Sequence, residues 1–282
     1  MRIALGNYNT LTIVRFTDYG AVLCGGEVGD ILMPKAYVTQ EMQIGQEVTA
    51  FVYLDQQERL VATREKPLVK VGECAFLECK WVNEHGAFLD WGLMKDLFVP
   101  YREQRLTMEI GESYLVYVYI DHETSRIVAS AKLQKHLRQA SERDFQRGEQ
   151  VELIIWHRTP LGFKVIVNHR YQGLIYDDQI FQPLHAGDKL LGTITNIRAD
   201  GKLDVIVGTA GKERFIDFAQ TFLHALQASA DGFLPYGDWS TPEEIASTFN
   251  VSKKTFKRAL GTLYRQHLLK IETDGVRLVR NV

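Results

Sequence analysis

Between Ser252 and His267 this 282-residue sequence carries Lys253, Lys254, Lys257, Arg258 and Arg265 without an acidic residue. Lys253 and Lys257, like Lys254 and Arg258, stand four apart. On a helix such pairs are neighbours, and their repulsion is a cost that a polyanion would offset. The chemistry they suggest is phosphate binding, which dominates affinity for nucleic acids. A second cluster mixes cations with aromatic rings: Arg158, Lys164, Arg170, Tyr171 and Tyr176. Rings present π-faces to unpaired bases while cations hold the backbone. The run NHRYQ around Tyr171 is too polar for an interior segment. A third set, Tyr19, His85, Phe88 and Phe98, supplies further rings. Aromatic residues on strands also pack cores, so two readings stay open for Tyr19, Phe88 and Phe98.

Catalytic parts are missing. Asp121, His122 and Glu123 look chemical, but they occupy a turn between two apolar runs, where Asp is a turn former. Asp55 takes the matching place earlier in the chain, without a His. No phosphate-cradling glycine loop, nucleophile elbow or HExxH appears. The expectation is a protein that is not an enzyme and needs no cofactor. Cys74 and Cys79 lie five apart in a strand-like run, which points their thiols to opposite faces. A zinc site is therefore rejected, and buried thiols are expected.

The elements that position these residues are set by a repeat. Gly6, Gly72 and Gly148 are each followed fourteen residues on by Gly20, Gly86 and Gly162, and twenty-five further on by Gly45, Gly111 and Gly187. The stretches YGAVLCGGEVGDILMP, HGAFLDWGLMKDLFVP and LGFKVIVNHRYQGLIY align without a gap. Each unit continues through a β-rich run, a turn and a last short strand. Alternating and β-branched residues between turn signals give about five strands per unit. The fold class expected is mainly β: three tandem five-stranded, partly open OB-fold barrels. The segment AKLQKHLRQASERDFQ between the second and third units has helical composition and is expected to be a linker helix.

The last sixty-odd residues change character. Thr241 and Pro242 read as the start of one helix, Ser252 as the cap of a second, and FAQTFLHALQ as an earlier one. Asp274-Gly275 between KIET and VRLV signals a type I′ hairpin. Helix, turn, helix, hairpin is the layout of an α+β winged helix. The expected boundaries are 1–68, 69–133 and 148–217 for the barrels, 134–147 for the linker helix and 218–282 for the winged helix.

Formal charge is -2 overall. By segment it runs -2 over 1–68, -2 over 69–137, zero over 138–218 and +2 over 219–282. The C-terminal half is therefore the expected polyanion binder. No apolar run reaches the roughly 20 residues of a membrane span, and the start lacks a secretory pattern, so a cytoplasmic, non-membrane protein is expected.

Glycine followed two residues later by a strand aromatic, then a turn resembling G-L-V-H, resembles the S-1-type RNA-binding domain. Three such units before a winged helix resemble the conserved virulence factor B family of bacterial proteins over essentially the whole chain. That resemblance implies RNA binding without catalysis and a role in gene expression. Its nucleic-acid-facing positions fall on Tyr19, Val22 and Pro34 in the first unit, and on His85, Phe88 and Pro100, with Phe98 close by, in the second. In the third they fall on Leu161, Lys164 and Tyr176, beside Arg158, Arg170 and Tyr171. The expected function is binding of single-stranded RNA through the third barrel and the winged helix, in post-transcriptional regulation. Two alternatives stay open: a DNA-binding transcriptional regulator, and an adaptor that contacts a ribosome or ribonuclease.

Overall fold

The computed structural model describes residues 2–180, 183–207, 211–229, 231–249 and 251–279. The chain divides into two compact units, Met1–Leu137 and Arg138–Val282.

The first unit holds two barrels. Strands β1 (Asn7–Thr17), β2 (Gly20–Cys24), β3 (Asp30–Pro34), β4 (Glu47–Leu54) and β5 (Leu60–Thr63) close in the order β1-β2-β3-β5-β4. Strands β6 (Cys74–Asn83), β7 (Gly86–Leu89), β8 (Leu97–Pro100), β9 (Ser113–Ile120) and β10 (Ile127–Ser130) repeat that order. The barrels close fully, where partly open ones are expected. A short parallel pairing of the third strand with the fifth makes the closure, Leu32 opposite Val61 and Phe98 opposite Val128. Closing removes the unpaired strand edges.

Alternation sends Leu11, Ile13, Leu23, Ile31 and Met33 into the first core. A larger cluster fills the second barrel and takes in Phe51, Tyr53 and Val61 of the first. The Leu68 N–H donates to the Trp91 carbonyl and the Val71 N–H to that of Gly6, so backbone as well as side chains ties the two barrels together. Cys79 belongs to this cluster. Cys74 is buried outside it, and burial pushes its thiol up to about 12.

The second unit begins with a third barrel of the same order: β11 (Gln150–Thr159), β12 (Gly162–Val167), β13 (Tyr171–Tyr176), β14 (Lys189–Ile197) and β15 (Leu203–Val207). The linker helix expected over 134–147 does not form. A 3-10 turn at Leu133–Lys135 is followed by irregular chain. Its apolar residues are used against the barrels instead of along one helical face. The His136 ring stacks on Tyr117, whereas Ala140 and Phe145 enter the third core. Backbone N–H groups of Arg138 and Ala140 donate to Arg170 and Gly201, replacing helical bonds.

Helices α1 (Gly211–Ala228), α2 (Pro242–Phe249) and α3 (Lys253–Arg265), with β16 (Phe233–Leu234), β17 (Leu269–Ile271) and β18 (Val276–Leu278), form the winged helix. Phe218, Phe222, Phe249 and Phe256 meet tilted, edge to face or stacked at its centre. Thr241 and Glu244 exchange capping bonds at the start of α2, and Ser252 accepts from the Thr255 N–H at that of α3. The wing hairpin forms without a type I′ turn. Ile271 pairs with Val276, leaving a four-residue connection in which neither Asp274 nor Gly275 has positive φ. Gly275 lies against the Phe233 ring and the Leu234 carbonyl, so contact with β16 sets the turn. Among the described residues, no helix is long and apolar enough to cross a membrane.

Candidate nucleic-acid interface

Each barrel carries a β-bulge at the same place in its first strand, between Ile13 and Arg15, between Cys79 and Trp81, and between Ile155 and His157. An extra residue reverses which face the following side chains take. Strict alternation from Leu77 and Cys79 would bury Trp81; past the bulge it is 43% exposed. Three strands then align one outward row in every barrel. The rows are Arg15–Val22–Leu32, Trp81–Phe88–Phe98 and His157–Lys164–Leu174. One scaffold position thus displays three chemistries.

Only the middle row is aromatic throughout. Trp81 and Phe88 stack with centroids 3.7 Å apart and planes 2° from parallel, and Phe98 follows at 4.9 Å. The indole Nε1 donates to Asp96 Oδ2 at 2.9 Å, which fixes the ring. The first barrel makes the corresponding link as an ion pair, Arg15 to Asp30 at 2.7 Å. Beside the stack opens a cleft of about 550 Å³, with His85, Met94 and Lys95 on the second barrel and Leu54, Gln56 and Glu58 on the first. Lys95 Nζ donates to the Asp55 carbonyl at 2.7 Å, and burial lowers its pKa while Glu58 pulls it back up. Arg126 pairs with Glu58.

The sequence signals therefore gather at His85, Phe88 and Phe98, and Trp81 completes them. Trp81 escapes a motif read from the glycine onward because it stands five residues before Gly86, and only the bulge turns it outward. Tyr19 is 80% exposed in the β1–β2 turn, but its neighbour at the second aromatic position, Val22, is buried.

In the third barrel the cluster divides. Arg158, Lys164 and Tyr176 lie toward one end of the β12–β13 pair. Tyr171 begins β13, five residues or roughly 16 Å from Tyr176. Arg158 bonds Asp177 at 3.0 Å, and the Lys164 ammonium sits 5.8 Å from the Trp156 ring centroid. The Tyr176 hydroxyl accepts from Arg198 at 2.6 Å. Tyr171 meets Phe145 edge to face at 4.8 Å and packs on the core. The Arg170 carbonyl accepts from the Arg138 N–H.

On α3, Phe256, Ala259, Leu260 and Leu263 are buried, which leaves Lys254, Lys257, Arg258 and Arg265 on the exposed side and Lys253 half-buried. Lys257 pairs with Asp238 at 3.1 Å, and Arg265 donates to the Gly261 carbonyl. The Asp121 turn is structural in form: the Thr124 hydroxyl and Arg102 both bond its carboxylate. Among the described residues, no group of three or more His, Cys, Asp or Glu is arranged to hold a metal ion.

Closed five-stranded barrels, the second with an outward aromatic row, followed by a winged helix, define a multidomain protein built from nucleic-acid-binding kinds of domain. The family model described as S1 domain matches residues 5–65 and 71–132, and that described as CvfB-like winged helix domain matches 220–278. The third barrel lies outside both matches yet shares the strand order. A Bacillus subtilis (strain 168) protein named "Uncharacterized protein YitL" is 28% identical over 94% of this chain and 89% of its own. Conserved virulence factor B of Staphylococcus aureus is 26% identical over 85% of this chain and 82% of its own. A multidomain protein with nucleic acid binding domains from Streptococcus pneumoniae TIGR4 has 21% identity and a TM-score of 0.41 over 98% of both chains. The chain thus carries S1 domains and a CvfB-like winged helix domain, and it is similar to conserved virulence factor B over most of its length. S1 and winged-helix domains are non-enzymatic in kind.

Proposed function

We propose that this chain is a cytoplasmic, non-catalytic RNA-binding protein acting in post-transcriptional regulation of gene expression. The observation that carries the reading is the partly exposed Trp81–Phe88–Phe98 stack, with Trp81 exposed and the two phenyl rings half-buried. Aromatic faces on an OB-type barrel suit unpaired bases, which a duplex keeps stacked on one another. The exposed cations of α3 hold phosphates, and Lys164 adds charge to the equivalent face of the third barrel. A mixed-sequence single-stranded RNA titrated beside duplex DNA of equal length, at one salt concentration, tests this. The RNA should bind more tightly and run intact on a gel afterwards. Tighter duplex binding, or protein-dependent cleavage, removes the proposal.

The exposed basic face of α3 also supports a second reading, in which this helix enters the major groove of duplex DNA. The salt dependence of the double variant Lys254→Ala, Lys257→Ala separates the two. On single-stranded RNA, log K against log salt should flatten by about 0.7 for each phosphate no longer neutralised. An unchanged RNA slope with a flattened duplex slope would assign α3 to DNA.

A further inference from the structure

We propose that the cleft between the β4–β5 turn and the second barrel is a preformed site for one unpaired nucleobase, built jointly by both barrels, with the phosphates left outside. The inference rests on the RNA-binding reading above and adds where one base goes and what encloses it. At about 550 Å³ the cleft is the size of a small-molecule site and unlike a long groove. One wall is the stack with Trp91 and Met94. The other comes from the first barrel as Leu54, Gln56 and Glu58. Met94, 81% exposed, places a soft thioether at the opening, where it can cover a π-face.

Charge decides between base and backbone. Lys95 and Arg126 bring two cations into the lining, and Glu58 and Asp96 bring two carboxylates. Arg126 is paired with Glu58, Lys95 is half-buried on the Asp55 carbonyl, and Asp96 holds the Trp81 N–H. A compensated, largely apolar cleft offers a phosphate little, but it offers a base a ring to lie on and fixed donors and acceptors for its edge. Both walls are anchored by one core, because Phe51 of β4 and Trp91 meet edge to face at 5.8 Å. A site rigid before binding loses little freedom on binding. The first barrel, whose own outward row is Arg15–Val22–Leu32, contributes here as a wall.

The test uses the full chain and a fluorescently labelled eight-nucleotide RNA, with affinities read by anisotropy at two salt concentrations. Trp81→Ala removes the platform, Trp81→Phe restores a ring, and Gln56→Trp fills the cleft from an exposed turn position of the first barrel. Trp81→Ala and Gln56→Trp should each weaken binding by roughly 5- to 150-fold, the loss of one stacked base, with the salt slope unchanged. Trp81→Phe should stay within a few-fold of the parent. If Trp81→Ala weakens binding but Gln56→Trp leaves it unchanged or tighter, the cleft is overturned and stacking on the open face stands. If neither weakens binding, both the cleft and the stack are overturned. If the parent chain binds no RNA, the functional reading itself fails and takes the cleft with it.

Discussion

Phe51→Ala should lower the stability of residues 1–137 by about 3–5 kcal/mol, the usual cost of removing a fully buried phenyl group. The loss should appear in both barrels at once. Phe51 is fully buried on a strand of the first barrel, yet it packs in the cluster that fills the second. Its ring meets Tyr8 at 5.5 Å and Trp91 at 5.8 Å, so truncation leaves a void bounded by residues of both barrels. Hydrogen exchange in the full chain resolves the question. Amides of β4 and of β6 should lose protection by similar factors, whereas β11 and β12 should keep theirs. Unchanged protection in β6 would mean that the two barrels open separately despite the shared core. A cleft with walls on two barrels needs this coupling, so RNA affinity should fall in the same variant.

Much of this architecture is legible in the glycine spacing, because glycine is required where the backbone turns sharply or approaches another strand. The three barrels and their common strand order follow from that repeat. Cap residues announce α2 and α3 for the same local reason: the groups they satisfy lie within three residues. The features that escape sequence reading are nonlocal. The bulge before Trp81 is recognised by pairing with β7, not by composition, and alternation alone assigns Trp81 to the core. The stretch 134–147 has helical composition, but tertiary bonds from Arg138 and Ala140 outweigh a weak local propensity. Tyr171 sits in a polar run and still packs on Phe145, since Asp144 and Phe145 arrive from the preceding connection. Net charge by segment does not register a local arrangement of rings. The aromatic row lies in a segment of charge -2, and cations around it are already engaged by Glu58 and by the Asp55 carbonyl.

The glycine repeat makes two classes of demand, and comparing Gly148→Ala with Gly162→Ala separates them. Gly148 has φ +89° and open space where a Cβ would go. An alanine there should cost only the left-handed backbone strain, about 1–2 kcal/mol. Gly162 has φ +136° and faces β13 across a strand pair, opposite Tyr176. A Cβ there would lie 2.9 Å from the Ile175 carbonyl carbon and from Tyr176 Cα, and closer still to the Ile175 carbonyl oxygen. Those atoms are backbone held in the barrel ladder, so they yield only if the pairing does. Overpacking adds about 1–3 kcal/mol to the strain, for a total of roughly 2–5 kcal/mol. Exchange at β12 and β13 amides should therefore accelerate much more in Gly162→Ala than in Gly148→Ala. Equal losses would mean that backbone conformation alone explains the repeated spacing within this chain. A larger loss at Gly162 would show that the second glycine of each repeat is there for close approach. Gly20 and Gly86 face the carbonyls of Met33 and Val99 in the same way, so the result would carry to the strand that presents Phe88.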